Sequence, residues 1–121
     1  MIYRRKTYHI DPIIKEEFNE HFNKTLLPTQ LKYGARLVGR WMTKANNVTI
    51  EIFAMWEYQS YEEYEKIESK IRADKGRVNR VEGWFEKMGG REKLKAVFFK
   101  IDQDFLESTV PRDKTIMAKK P

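Results

Sequence analysis

The sequence predicts an α+β domain, and three observations carry that prediction. Two runs rich in β-branched and aromatic residues, Ala35–Lys44 and Val48–Tyr58, flank the turn residues Ala45-Asn46-Asn47, as in a β-hairpin. A strand-like start and a helix with apolar residues at every fourth position precede the hairpin. Two or three amphipathic helical stretches and one more strand-like run follow it.

Ile2–Ile10 reads as a strand because Ile2, Tyr3, Thr7, Tyr8 and Ile10 favour the extended chain. Asp11-Pro12 then opens a helix: Asp accepts from free backbone amides, and Pro loses nothing at the first helical position. Ile14, Phe18, Phe22 and Leu26 form one apolar stripe along it. Pro28 removes a backbone donor, which predicts a kink or interruption at Leu27-Pro28. Gly34 suits the left-handed residue that closes the helix.

In the hairpin's first strand, strict alternation puts Leu37, Gly39 and Trp41 on one face and Val38, Arg40 and Met42 on the other. In its second strand Ile50, Ile52, Ala54 and Trp56 share one face, and Glu51, Phe53, Met55 and Glu57 the other. Both faces carry large apolar side chains, so both need cover, one of them from outside the chain. Ser60 and Glu63 form a capping box for a helix over about 61–73, which Lys75-Gly76 should break. Val78, Val81, Trp84, Phe85 and Met88 give a second helical stripe, stopped by Gly89-Gly90. Leu94, Val97, Phe98 and Ile101 fit helical spacing, although Lys95–Ile101 also reads as strand; helix is the reading adopted. Phe105–Val110 is then the last strand, stopped by Pro111.

The order β-α-β-β-α(-α)-β is the ferredoxin-like split βαβ arrangement, with an extra helical segment before the last strand. Residues 1–111 are expected to form one domain, and 112–121 a loosely ordered basic tail.

Composition narrows the function classes. The chain has 121 residues, enough for one modest core. It has no cysteine, so disulfides, thiolate metal sites and a cysteine nucleophile are excluded, and a reducing, cytoplasmic setting is favoured. The basic start, Met1 to Ile10, lacks the apolar core of a targeting peptide, and no apolar run is long enough to span a bilayer. The net charge of +6 sits in Arg4, Arg5 and Lys6 at one end and, at the other, in Arg112, Lys114, Lys119 and Lys120 set against Asp113. Residues 11–110 balance, so no nucleic-acid stripe is expected on the folded body.

Several residues carry a likeness to a known family. The segments YRRKTYHI, LLPTQLKYGARLVGRW and FAMWEYQSYEEYEK hold Tyr8, Leu27, Pro28, Tyr33, Gly34, Leu37, Val38, Gly39, Trp41, Trp56, Glu57 and Tyr58. This resembles the NIPSNAP family, with its tyrosine-bearing first strand, Leu-Pro pair, Gly-x-x-Leu-Val-Gly-x-Trp strand and closing Trp-Glu-Tyr. The likeness covers most of residues 1–75. It implies a dimeric α+β barrel, in which two ferredoxin-like subunits pair their sheets. It brings no catalytic set with it.

Candidate site residues are few. His21 sits at the edge of the first helix's apolar stripe, where it either lines a helix–sheet pocket or is a half-buried structural histidine. His9 ends the first strand, and two separated histidines do not make a metal site. Arg36 and Arg40 are expected to pair across strands with Glu51 and Glu57, or to line a ligand cleft, for example around a carboxylate. Trp41 and Trp56 come from paired strands and are expected close together, where they would stack on a planar ligand or anchor the core. The ligand-binding set is therefore His21, Tyr33, Arg40, Trp41, Trp56 and Glu57, with no metal or cofactor.

The expected function is that of a small homodimeric binding or accessory protein, holding a partly apolar or planar ligand between helix and sheet. The alternative is an enzyme of the α+β barrel type. A haem-degrading form would need His21 as proximal ligand; a cofactor-free monooxygenase or isomerase would need an acid–base pair among Glu57, Tyr33 and His21. Association with nucleic acid or membranes through the basic ends ranks lowest.

Overall fold

The computed structural model describes residues 1–44 and 46–116. Its centre is a four-stranded antiparallel sheet of β1 (Ile2–Ile10), β2 (Arg36–Met42), β3 (Ile50–Tyr58) and β4 (Phe98–Leu106), in the order β2-β3-β1-β4. That is the order of the split βαβ arrangement. The helices α1 (Lys15–His21), α2 (Leu27–Lys32), α3 (Tyr61–Ala73), α4 (Lys75–Lys87) and α5 (Arg91–Val97) connect the strands.

Asp11 opens the first crossover as expected, its Oδ1 accepting from the Ile13 amide at 2.9 Å. A 3₁₀ turn, Pro12–Ile14, leads into α1. The interruption foreseen at Pro28 is a wide helical turn over Phe22–Leu26, in which the Leu27 amide reaches back to the Phe22 carbonyl. Widening the helix there relieves the clash a proline ring makes with the carbonyl four residues earlier. Gly34 closes the segment at φ +96°, a conformation that favours glycine.

The hairpin strands are shorter than the sequence suggested, and Asn46 Oδ1 caps the turn by accepting from the Val48 and Thr49 amides. Ala45 lies outside the described residues. Alternation fails at one point in β2: the register slips between Leu37 and Gly39. Leu37 pairs with Trp56, yet Gly39 pairs with Met55 and Arg40 with Ala54. Val38 is the extra residue of a bulge on an edge strand, and beyond it every side chain changes face. Leu37 therefore points inward with Arg40 and Met42, while Gly39 and Trp41 face out.

The chain's second half needs two corrections. The α3–α4 break falls at Asp74, whose carboxylate caps α4 from the Arg77 amide, and Gly76 lies inside α4's first turn. The helical reading of 91–101 holds only to Val97: β4 starts at Phe98 and ends at Leu106, so Phe105–Val110 is not the last strand. Phe98 pairs with Ile10, and β1 supplies the free edge that outweighs the helical spacing. Beyond β4 a 3₁₀ turn, Arg112–Lys114, places Arg112 on Glu57. Residues 117–121 lie outside the described residues.

The helices cover one face of the sheet through two apolar clusters. Phe22, Ala35, Ala54, Trp56, Tyr58, Ile67 and Ile71 pack at one end. Ile10, Ile14, Phe18, Ile50 and Ile52 pack at the other, with Tyr8, Trp84 and Phe98 against them. Between the clusters the same face of β1 carries Arg4 and Lys6. The opposite face, with Trp41, Phe53, Met55 and Glu57, has no α-helix on it among the described residues, and only the 3₁₀ turn at Arg112 reaches its Glu57 end.

Candidate functional site

A cleft of about 430 Å³ opens between α1, α4, α5 and the β1–β4 side of the sheet. That volume lies in the range of small-molecule sites, and most of the lining is apolar and aromatic, as such sites usually are. Tyr8 and Phe98 from the sheet, Phe18 and His21 from α1, and Trp84 from α4 shape it.

His21 is buried, and its ring stacks on Trp84 at 4.1 Å between centroids with 7° between planes. The sequence placed His21 at the edge of a stripe; the structure makes it the seat of α4. Burial, helped by the nearby Arg77 charge, lowers its pKa from 6.5 to about 4, so the ring is neutral near pH 7. A neutral ring stacks on indole without desolvating a charge. The residues lining the cleft include Arg77, Arg91 and Lys95 but no carboxylate.

Arg40 also faces the helices, but it does not pair with a strand glutamate as the sequence suggested. Its Nη1 donates to Asn19 Oδ1 at 2.6 Å, and its guanidinium lies 4.2 Å from the centre of the Phe22 ring. The bulge at Val38 is the cause, because it turns Arg40 away from the glutamate-bearing face. Burial lowers the Arg40 pKa to about 10.

The other candidates separate. Trp56 is buried beside Phe22 on the helix face, whereas Trp41 is about half exposed on the other face, tilted against Phe53. The two indoles thus lie on opposite sides of the sheet and form no common stacking site. Trp41 folds back over Gly39, where any Cβ would collide with the indole. Tyr33 is tied down: its hydroxyl donates to Asp74 at 2.7 Å and joins α2 to the α3–α4 junction.

Glu57 lies on the open face and is the centre of an ion cluster. It accepts from Tyr3 at 3.1 Å, from Arg36 at 3.3 Å and from Arg112. Burial alone would raise its pKa, but these donors outweigh it and hold the carboxyl below its usual range. The expected cross-strand Arg–Glu pair therefore exists as Arg36–Glu57. His21, Tyr33 and Glu57 are not brought together as an acid–base set. Among the described residues no group of His, Asp and Glu could hold a metal ion, and no helix is long and apolar enough to cross a membrane.

A family model for NIPSNAP matches residues 3–93. The chain belongs to the NIPSNAP family. The fold agrees with NIPSNAP proteins of known structure. One is an uncharacterized NIPSNAP domain protein from Burkholderia xenovorans, with TM-score 0.66 and 18% identity, covering 92% of this chain and 99% of that one. A NIPSNAP family protein from Agrobacterium tumefaciens gives TM-score 0.66 at 17% identity, covering 89% and 92%. A second from that organism, of unknown function, gives TM-score 0.64 at 16% identity, covering 88% and 86%. No protein with a curated description matches the chain.

Within this NIPSNAP domain, sequence reasoning missed Trp84, Lys6 and Arg77. Trp84 read as one more apolar residue of a helical stripe, and nothing local says that its partner is a histidine 63 positions away. Lys6 left a signal: it shares strand phase with Ile2 and Ile10, the inward-facing residues at the two ends of β1.

Proposed function

We propose that this NIPSNAP chain is a homodimeric small-molecule-binding or accessory protein whose ligand lies between the helices and the sheet. The observation that carries the reading is the cleft of about 430 Å³ walled by Tyr8, Phe18, Phe98 and the His21–Trp84 stack. The aromatic walls suit a partly apolar ligand. The enzymatic alternative is not favoured: the cleft lining holds no carboxylate to pair with His21, and Glu57 lies on the far side of the sheet.

The second copy is assigned to the open sheet face. Trp41, Phe53 and Met55 lie there without helical cover, and sheet-to-sheet pairing is what the family resemblance implies. The absence of cysteine is compatible with a cytoplasmic setting.

Two measurements test this reading. Titration with 1-octanol, followed by tryptophan fluorescence, is expected to saturate in the wild type and to fail in Val81→Phe, which fills the cleft. Equal titration of both proteins would remove the cleft from the proposal. Sedimentation is expected to give a dimer for the wild type and a monomer for Trp41→Glu. A wild-type monomer at all concentrations would overturn the pairing.

A further inference from the structure

The apolar cleft adjoins a second, smaller space. A chamber of about 100 Å³ lies between the sheet and the wide turn Phe22–Leu26, and Tyr8, Leu26 and Arg77 line both spaces. Its floor is set by register. Arg40 pairs with Ala54, and Ala54 with Lys6, so two cations flank a small residue at about 10 Å backbone separation, or two strand spacings. Arg4 and Arg77 complete a lining with four cations and one carboxylate, Glu68.

The charges in that lining do not balance. Glu68 is engaged by Arg4 at 2.7 Å. Lys6, Arg40 and Arg77 have no carboxylate partner among the described residues. Arg40 spends Nη1 on Asn19, but its buried Nη2 has no acceptor. Gln30, also on the chamber wall, has a buried Oε1 without a donor, and a half-turn of its amide would present NH₂ instead. On this half-buried guanidinium, a buried N–H left idle is costly unless something accepts from it. Burial also lowers the Arg40 pKa, and only the Tyr8 phenol works against that shift, with no carboxylate to offset it.

We propose that this chamber is a carboxylate subsite, and that the NIPSNAP ligand is an organic acid whose head sits among Arg40, Lys6 and Arg77 while its apolar body fills the adjoining cleft. This rests on the cleft being a ligand site. The chamber has room for a carboxylate and little more, and arginine meets a carboxylate in its own plane. Arg77 lines both spaces, at the junction of head and body.

Calorimetric titration at neutral pH with octanoate and with 1-octanol separates the two claims. The wild type is expected to bind octanoate about tenfold or more tightly than 1-octanol, as one charged hydrogen-bonded contact would give. Arg40→Met should lose that preference while keeping its affinity for 1-octanol, and Lys6→Gln should lose part of it, about threefold. Lys6→Gln, at a half-buried site, keeps the test open if Arg40→Met fails to fold by circular dichroism. Equal affinities for acid and alcohol in the wild type would overturn the carboxylate subsite and leave the apolar cleft standing. Failure of both ligands to bind would overturn the cleft reading, and this inference with it.

Discussion

Helices α3 and α4 are each 13 residues long, and each is capped by a side chain, Ser60 in one and Asp74 in the other. They follow one another in the chain and cover the same sheet face, yet they are held differently. α3 drives Ile67 and Ile71 into the cluster around Trp56 and Tyr58. α4 buries no residue fully; Val81, Trp84 and Phe85 stop part-way and become the wall of the cleft. The difference lies in what each meets. α3 lies over β3, whose inward side chains end in buried Trp56 and Tyr58. α4 meets His21, and a flat stack replaces insertion. One helix closes a core, and the other leaves an opening of ligand size.

Core substitution gives the largest expected contrast. Ile71→Ala should cost about 2–5 kcal/mol in urea unfolding, because it empties a closed cluster. If Val81→Ala, on α4, cost as much, the two helices would be equally inserted and the comparison would fail. Acid should act next, and on the α4 side. Folded His21 takes its proton only below about pH 4, whereas the unfolded chain takes it below about 6.5. Between those values the unfolded state binds more protons, so the His21 contribution is complete above the window. It is lost on acidification, by at most about 3 kcal/mol. His21→Phe keeps a ring against Trp84 and should flatten that part of the stability–pH curve; an unchanged curve would show that His21 does not carry it.

The order of the elements was legible in the sequence because it rests on local chemistry. Asp11-Pro12, Gly34, the Ser60–Glu63 pair and the two-residue periodicity around Asn46 each act within a few positions. The Ser60 hydroxyl does accept from the Glu63 amide, although the Glu63 carboxylate returns to Gln59 rather than to Ser60. The site was less legible, for two reasons. Alternation gives the right faces only while the register is regular, and the bulge at Val38 moved Arg40 and Trp41 to faces opposite those expected relative to Leu37. The start of β4 was hidden because Leu94, Val97, Phe98 and Ile101 satisfy helical spacing, and only pairing with β1 decides where helix yields to strand.

Caps give a smaller effect. Ser60→Ala should lower stability by about 1 kcal/mol. Asp74→Ala should cost more than Ser60→Ala, since the same carboxylate also accepts from Tyr33 and meets Lys32. Equal losses would mean that the Tyr33 tie adds nothing to α4. The smallest expected energetic effect is Val81→Ala itself, below about 1 kcal/mol, because the side chain is only half buried and its removal widens a space already open. Hydrogen exchange should rank the helices in the same order, with α4 amides exchanging faster than those of α3; the reverse ranking would contradict the part-way insertion of α4.

The extra residue in β2 works as a frameshift in three dimensions. Upstream of Val38, odd positions such as Leu37 face the helices; downstream, even positions such as Arg40 do. Without that shift the strand would send Trp41 into the chamber and leave a guanidinium on the open face. A variant lacking Val38 would restore regular pairing while keeping Leu37 and Arg40 inward. The useful unit for grafting this helix-facing arginine into another sheet is therefore the count of residues from the irregularity, and not the side chain alone.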